Sequence, residues 1–171
     1  MMMTRFTRWT ALSGLVGSLV LGAAAGADEE SIPVDKLPAA VLKATKAKFP
    51  TAKIEEASKE VEDGVTTYEV ELKVDGHAVD LALKADGTIL EIEKEVAVEK
   101  LPEAVKATLA AKFPNVKIKK AEEITKGDTG AVSYEVIVGS KEVVLDAKGK
   151  IVKTEEDDDD DEKEATPAKS K

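Results

Sequence analysis

Between Leu37 and Phe49 the apolar positions recur every four residues, at Leu37, Val41, Thr45 and Phe49, with Lys43, Lys46 and Lys48 interspersed. That spacing predicts an amphipathic helix with a basic outer face. Pro38 suits its first turn, where a missing N–H costs nothing, and Pro50 must end it. Beyond Pro50 the period falls to two. Tyr68, Val70, Leu72 and Val74 alternate with Thr67, Glu69, Glu71 and Lys73, the pattern of a half-buried antiparallel strand. Strands are expected over 52–61, 65–74, 77–84 and 88–93, with Asp63-Gly64, Asp75-Gly76 and Asp86-Gly87 at the turns. Ile54, Ala57 and Val61 do not share parity, which predicts a bulge near Glu55-Glu56.

The whole pattern is then written again. LPAAVLKATKAKFP at 37–50 returns as LPEAVKATLAAKFP at 101–114, an offset of 64, followed by Ile118 for Ile54, Ala121 for Ala57, Tyr134 for Tyr68 and Gly149 for Gly87. The length drift falls in loops, which tolerate it. The second set of strands is expected over 116–124, 131–138, 141–146 and 150–153. The fold class is α+β: a tandem repeat of an N-terminal helix followed by a four-stranded antiparallel meander, helices on one face. The division is repeat 1 over 34–96 and repeat 2 over 97–153. The connection has no flexible linker, so the halves should pack side by side.

The ends differ in character. Arg5 and Arg8 precede an apolar run that closes in Ala25-Gly26-Ala27, so 1–27 reads as a secretory signal peptide cleaved after Ala27. A polar leader, 28–33, follows. The expected location is therefore periplasmic or secreted, with no stable membrane anchor after cleavage. Cysteine is absent from the chain, so an exported protein of this kind must be held by its apolar core alone. Removal of the two leader arginines takes the net charge from −9 to −11, which disfavours nucleic acid as a partner. The segment 154–171, with Asp157, Asp158, Asp159, Asp160 and Asp161 in a row, is expected to be a disordered, self-repelling acidic tail. Carboxylate oxygens suit hard cations, so those five aspartates are candidate calcium ligands, although the run lacks the glycine and closing glutamate of an EF-hand loop.

Catalytic machinery is missing. There is no thiol, and His77 is the lone histidine, placed at a turn edge without converging ligands, so neither a nucleophilic triad nor a metal centre can be built on it. No phosphate loop or dinucleotide fingerprint occurs, and no cofactor is expected. The chain reads as a non-enzyme. Its candidate contact surface is the sheet face turned away from the helices, at Glu69, Glu71, Glu135, Ile137, Glu142 and Val144, where apolar Ile137 and Val144 among acids hint at a docking partner.

The repeated LPxAV, KFP, Ile-x-x-Ala, Tyr-Glu-Val and Ala-x-Gly pattern over about 34–153 resembles the PepSY-like family, also described as β-lactamase-inhibitor-like. Its motif residues here are Leu37, Pro38, Phe49, Pro50, Tyr68 and Gly87, with Leu101, Pro102, Phe113, Pro114, Tyr134 and Gly149 as their second copies. All read as structural. The resemblance implies an exported α+β binding protein, and PepSY domains that accompany secreted proteases imply an inhibitor or regulator of a secreted or periplasmic hydrolase. The partner is thus an unidentified protein or peptide. Two alternatives stand beside it: envelope calcium binding through the acidic tail, and a propeptide-like regulatory protein.

Overall fold

The computed structural model describes residues 28–62, 64–127 and 129–156; the expectations for the signal peptide and for Asp157 to Asp161 lie outside them. Among the described residues nine strands form one antiparallel sheet in sequence order. They are β1 (Asp28–Ser31), β2 (Lys53–Glu62), β3 (Val65–Val74), β4 (His77–Lys84), β5 (Ile89–Glu95), β6 (Ile118–Lys126), β7 (Val132–Val138), β8 (Lys141–Asp146) and β9 (Ile151–Glu156). Helix α1 (Ala39–Lys48) lies between β1 and β2, and α2 (Glu103–Lys112) between β5 and β6. No described helix is long and apolar enough to cross a membrane.

Each helix has 10 residues, too few to persist alone in water, so burial of one stripe must hold it. The predicted stripes do this: Leu37, Val41 and Thr45 are buried in the first copy, and Leu101, Val105 and Leu109 in the second. Pro38 and Pro102 sit one place earlier than expected, as N-caps, and their carbonyls accept the first helical bonds from Leu42 and Lys106. Val41 packs with Val70, Leu72, Leu81 and Leu83, and Val105 with Val136, Val143 and Leu145. The strand register puts these residues on one side of the sheet, so both helices cover the same face.

The two expected four-stranded meanders join into one continuous sheet, with a further strand ahead of the first. Its reason lies in the register. Asp28 of β1 pairs with Val61 of β2, and Ile92 of β5 pairs with Thr125 of β6, each member advanced by 64. Strand β5 therefore ends repeat 1 and also takes, in repeat 2, the place that β1 holds in repeat 1. The polar leader supplies β1, an element its composition did not announce. At the other end β9 runs to Glu156, three residues into the segment assigned to the acidic tail, because Thr154, Glu155 and Glu156 find partners in Val143, Glu142 and Lys141. The bulge falls where predicted, between Ile54 and Glu56, and recurs in β6 between Ile118 and Lys120.

Candidate functional site

The sheet face opposite the helices has no described element packed on it, yet it is not freely exposed. Glu91, Glu93, Glu122, Ile124 and Val144 on this face are buried. Side chains without a covering layer can be buried only by crowding one another, so the twisted sheet must be concave on this side. Val144, expected to be an exposed contact residue, is 6% exposed for that reason, whereas Ile137 is half-buried.

The concavity is lined with acids. Glu71 of β3 stands opposite Asp80 of β4, which stands opposite Glu93 of β5. One step along, Glu69 faces Ala82 and Ala82 faces Glu91. Across the seam Glu122 of β6 faces Glu135 of β7, and Glu135 faces Val144 of β8. Like charges directly opposed in a sheet oppose folding, so this array works against stability. Cations offset part of it. Lys120 Nζ lies 2.8 Å from Glu122 Oε1, Lys126 pairs with Glu91, and Ser58 Oγ donates to Glu69 Oε2 at 3.5 Å. Glu69, Glu71, Asp80, Ala82, Glu91 and Glu93 border a groove in the surface.

Crowding shifts the protonation of these groups. Burial first, then the charges of Glu71 and Glu122, raises the Asp80 carboxyl to about 7 against the pull of Lys120. Glu93 is raised to about 8 by burial, then Glu122, Glu135 and Asp80. Glu135 is raised to about 7 by burial, then Glu142 and Glu122. Burial alone would lower Lys120, but Glu122, Asp80 and Glu135 together push it up. The result is a set of carboxyls that hold protons near neutrality and would release them to an arriving positive charge.

All six surface residues singled out from the sequence lie on this face. Glu69 and Glu71 are on β3, while Glu135 and Ile137 are on β7, four strand spacings or about 19 Å away. Glu142 and Val144 extend the second patch on β8. The centre between the patches, formed by Asp80, Glu91, Glu93 and Glu122, was not among them. Its signal was the alternation of acids in Glu91-Ile92-Glu93, which becomes legible once β5 is known to be an interior strand. Oxygen atoms of Asp80, Glu93 and Glu122 converge within 4.8 Å of one another. His77 is exposed at the first position of β4 and takes no part.

Comparison with known proteins places this geometry. Similar solved structures include a "putative periplasmic" protein from Bacteroides eggerthii, at 17% identity and TM-score 0.60 over 70% of this chain and 88% of that one. A "BLIP-like" protein from Bacteroides fragilis matches at 21% identity and TM-score 0.55, over 68% of this chain and 84% of its own. A third, from Bacteroides uniformis, matches at 16% identity and TM-score 0.59 over 70% and 88%. At these identities the likeness is one of fold. No functionally curated protein matches the chain. The family model described as "Putative beta-lactamase-inhibitor-like, PepSY-like" matches residues 26–91 and again 81–153, each segment taking in the strand ahead of its helix. With two copies of that model covering the helices and every strand but the end of β9, the chain belongs to the PepSY-like family.

Proposed function

We propose that this protein is a non-catalytic binding module of the periplasm or extracellular space, and that its concave acidic face docks a positively charged segment of a partner protein. The observation that carries the reading is the acid array on a sheet face that no other described element covers. Glu71, Asp80 and Glu93 are held in a row despite their mutual repulsion, and such an arrangement stores a preference for positive charge that is satisfied on binding. Ile137 supplies an apolar contact at the flank. The export reading rests on the leader at 1–27 and agrees with the periplasmic description of a fold neighbour. Inhibition of an exported hydrolase is the most specific form of the proposal, supported by the family's inhibitor-like description.

The test is a capture experiment with charge reversal. The chain is immobilised with exported proteins of its own cells at low salt, and the retained partner's affinity is compared with that for the double variant E69K/E135K. Loss of affinity by tenfold or more, and a steep decline with salt, would support docking on this face. An affinity unchanged by the double reversal would place the contact elsewhere.

A further inference from the structure

We infer that copies of this chain associate head to tail, with β9 of one molecule seated on β2 of the next in place of that molecule's β1. This goes beyond the partner reading, uses a sheet edge and not the concave face, and stands independently of it. The duplication carries the inference. Every pair of the β4–β5 ladder recurs in the β8–β9 ladder 62 residues on, from Val79 with Lys94 to Leu83 with Ile89. The bulge recurs with it, at Ala82/Leu83 and at Val144/Leu145. Strand β9 is therefore a second β5. In the interior the outer edge of β5 is taken by β6, and β6 is β2 advanced by 64 with its bulge kept. The edge of β9 thus has the form that a β2 strand fits, yet within one chain β9 and β2 lie toward opposite ends of the sheet. Only a second copy can bring them together.

Transferring the β5–β6 register to that contact puts Lys153 opposite Glu62, Thr154 opposite Val61, Glu155 opposite Glu60 and Glu156 opposite Lys59. Strand β1 already holds three of those places with Asp28, Glu29 and Glu30, so Asp-Glu-Glu is exchanged for Thr-Glu-Glu. Like replaces like, and the exchange adds the pair at Lys153. It also covers apolar surface. Leu90 is half-buried in the β5 bulge, where its carbonyl accepts from the Gly127 N–H at 2.7 Å, whereas its counterpart Val152 is 52% exposed. Because β1 has only 4 residues, displacing it costs few ladder bonds. The contact is heterologous, so it propagates into open chains and does not close a dimer. Charge opposes it: the exported chain carries a net −11, which keeps copies apart until salt screens them.

The test is cysteine cross-linking of the exported form at about 0.5 M salt, where screening leaves only short-range contacts. The chain has no cysteine, so the double variant E60C/E155C introduces both. In the exchanged contact these positions take the places of Ile124 and Glu93, a close pair that exchanges no hydrogen bonds across the seam. Were β9 added outside β1, position 60 would lie a further strand away, about 10 Å, beyond disulfide reach. The expected result on oxidation is a ladder of covalent dimers, trimers and longer species that grows with salt. Salt should weaken the docking of a cationic partner, so the two readings fail separately. By the alternation of β5, Thr154 N–H points off the free edge, and T154P removes that donor without touching the bonds to β8. Added to the double variant, T154P should cut cross-linking about tenfold with the fold kept. E30K, which places like charge opposite Lys59, loosens β1 and should raise cross-linking several-fold; if T154P unfolds, E30K gives the reading. The proposal is overturned if no species beyond a dimer forms, if T154P leaves the ladder unchanged, or if E30K lowers it. It is equally overturned if E155C alone cross-links as fast as the double variant, which would pair β9 with β9.

Discussion

Asp80 of β4 and Glu93 of β5 stand directly opposite each other on the open face of the sheet. Around them are Glu71 on β3, Lys120 and Glu122 on β6, and Glu135 on β7. Their carboxyls are raised to about 7 and about 8, and that of Glu135 to about 7, so the folded chain retains protons that the unfolded chain has released. The resulting stabilisation is complete below the unfolded values near pH 4 and is lost as pH rises through 7 and 8. Urea unfolding should therefore show stability falling from about pH 5 to about pH 9. The drop should be on the order of a few kcal/mol, after discounting Asp80 and Glu135 for partial solvent access. E93Q should flatten the slope. A stability that rises with pH over this range would contradict the assignment.

Thr45 offers a change of opposite sign. It is 1% exposed in the stripe of α1, and its hydroxyl has no hydrogen-bond partner among the described residues. The equivalent position of α2, 64 residues on, is Leu109, also buried. An unsatisfied buried hydroxyl costs about 1–3 kcal/mol. Replacing it with a methyl of the same shape, Thr45→Val, should raise stability by about 1 kcal/mol. The urea midpoint reads this directly. A Thr45→Val protein less stable than the parent would mean that the hydroxyl is satisfied in solution.

The turn before β9 fixes how closely α2 sits on the sheet. Gly149 has φ +80, and a Cβ placed on it would lie 2.3 Å from the Ala104 carbonyl oxygen at the start of the helix. Gly87 meets Ala40 in the same way at 2.6 Å, with φ +86. The obstacle is backbone, so it cannot swing aside. Gly149→Ala should cost about 2–4 kcal/mol, combining left-handed strain with displacement of the helix. Gly76→Ala, with a similar φ but open space around it, should cost only about 1 kcal/mol. Equal losses at the two sites would show that close packing against α2 contributes nothing.

The helices, strands β2 to β9 and the first bulge were legible because each is encoded locally, by a period of four or two and by a break in parity at Ile54, Ala57 and Val61. Two features were not. Strand β1 is written Asp-Glu-Glu-Ser, polar residues that become a strand only because β2 presents an edge to pair with. The acid cluster is dispersed over positions 80, 93 and 122, and nothing in the spacing of those numbers tells that β5 and β6 are neighbours. The duplication did contain the clue, since Ile92 to Glu95 occupy, at the offset of 64, the place of Asp28 to Ser31. What masked it is that the two four-residue stretches share no apolar pattern.

That double role of β5 makes the repeat boundary a matter for experiment. A cut at 97 leaves repeat 2 with β6 as an open edge, and it removes the Val96 N–H that donates to the Ala121 carbonyl at 2.9 Å. It also strips away the β5 ladder from Glu91 paired with Lys126 to Glu95 paired with Glu122. A fragment beginning at Asp86 keeps the strand and its turn, and the second family match likewise begins ahead of it, at residue 81. The buried core of repeat 2, around Val105, Val136, Val143 and Leu145, is kept in both fragments, and the shorter one loses β5 together with Val96, which packs against that core. Fragment 86–171 should unfold in one cooperative transition, whereas 97–171 should be several-fold more susceptible to proteolysis and lose cooperativity, since an exposed edge and a missing ladder weaken a small domain. Equal cooperativity and equal protease resistance in the two fragments would mean that β5 belongs to repeat 1 alone.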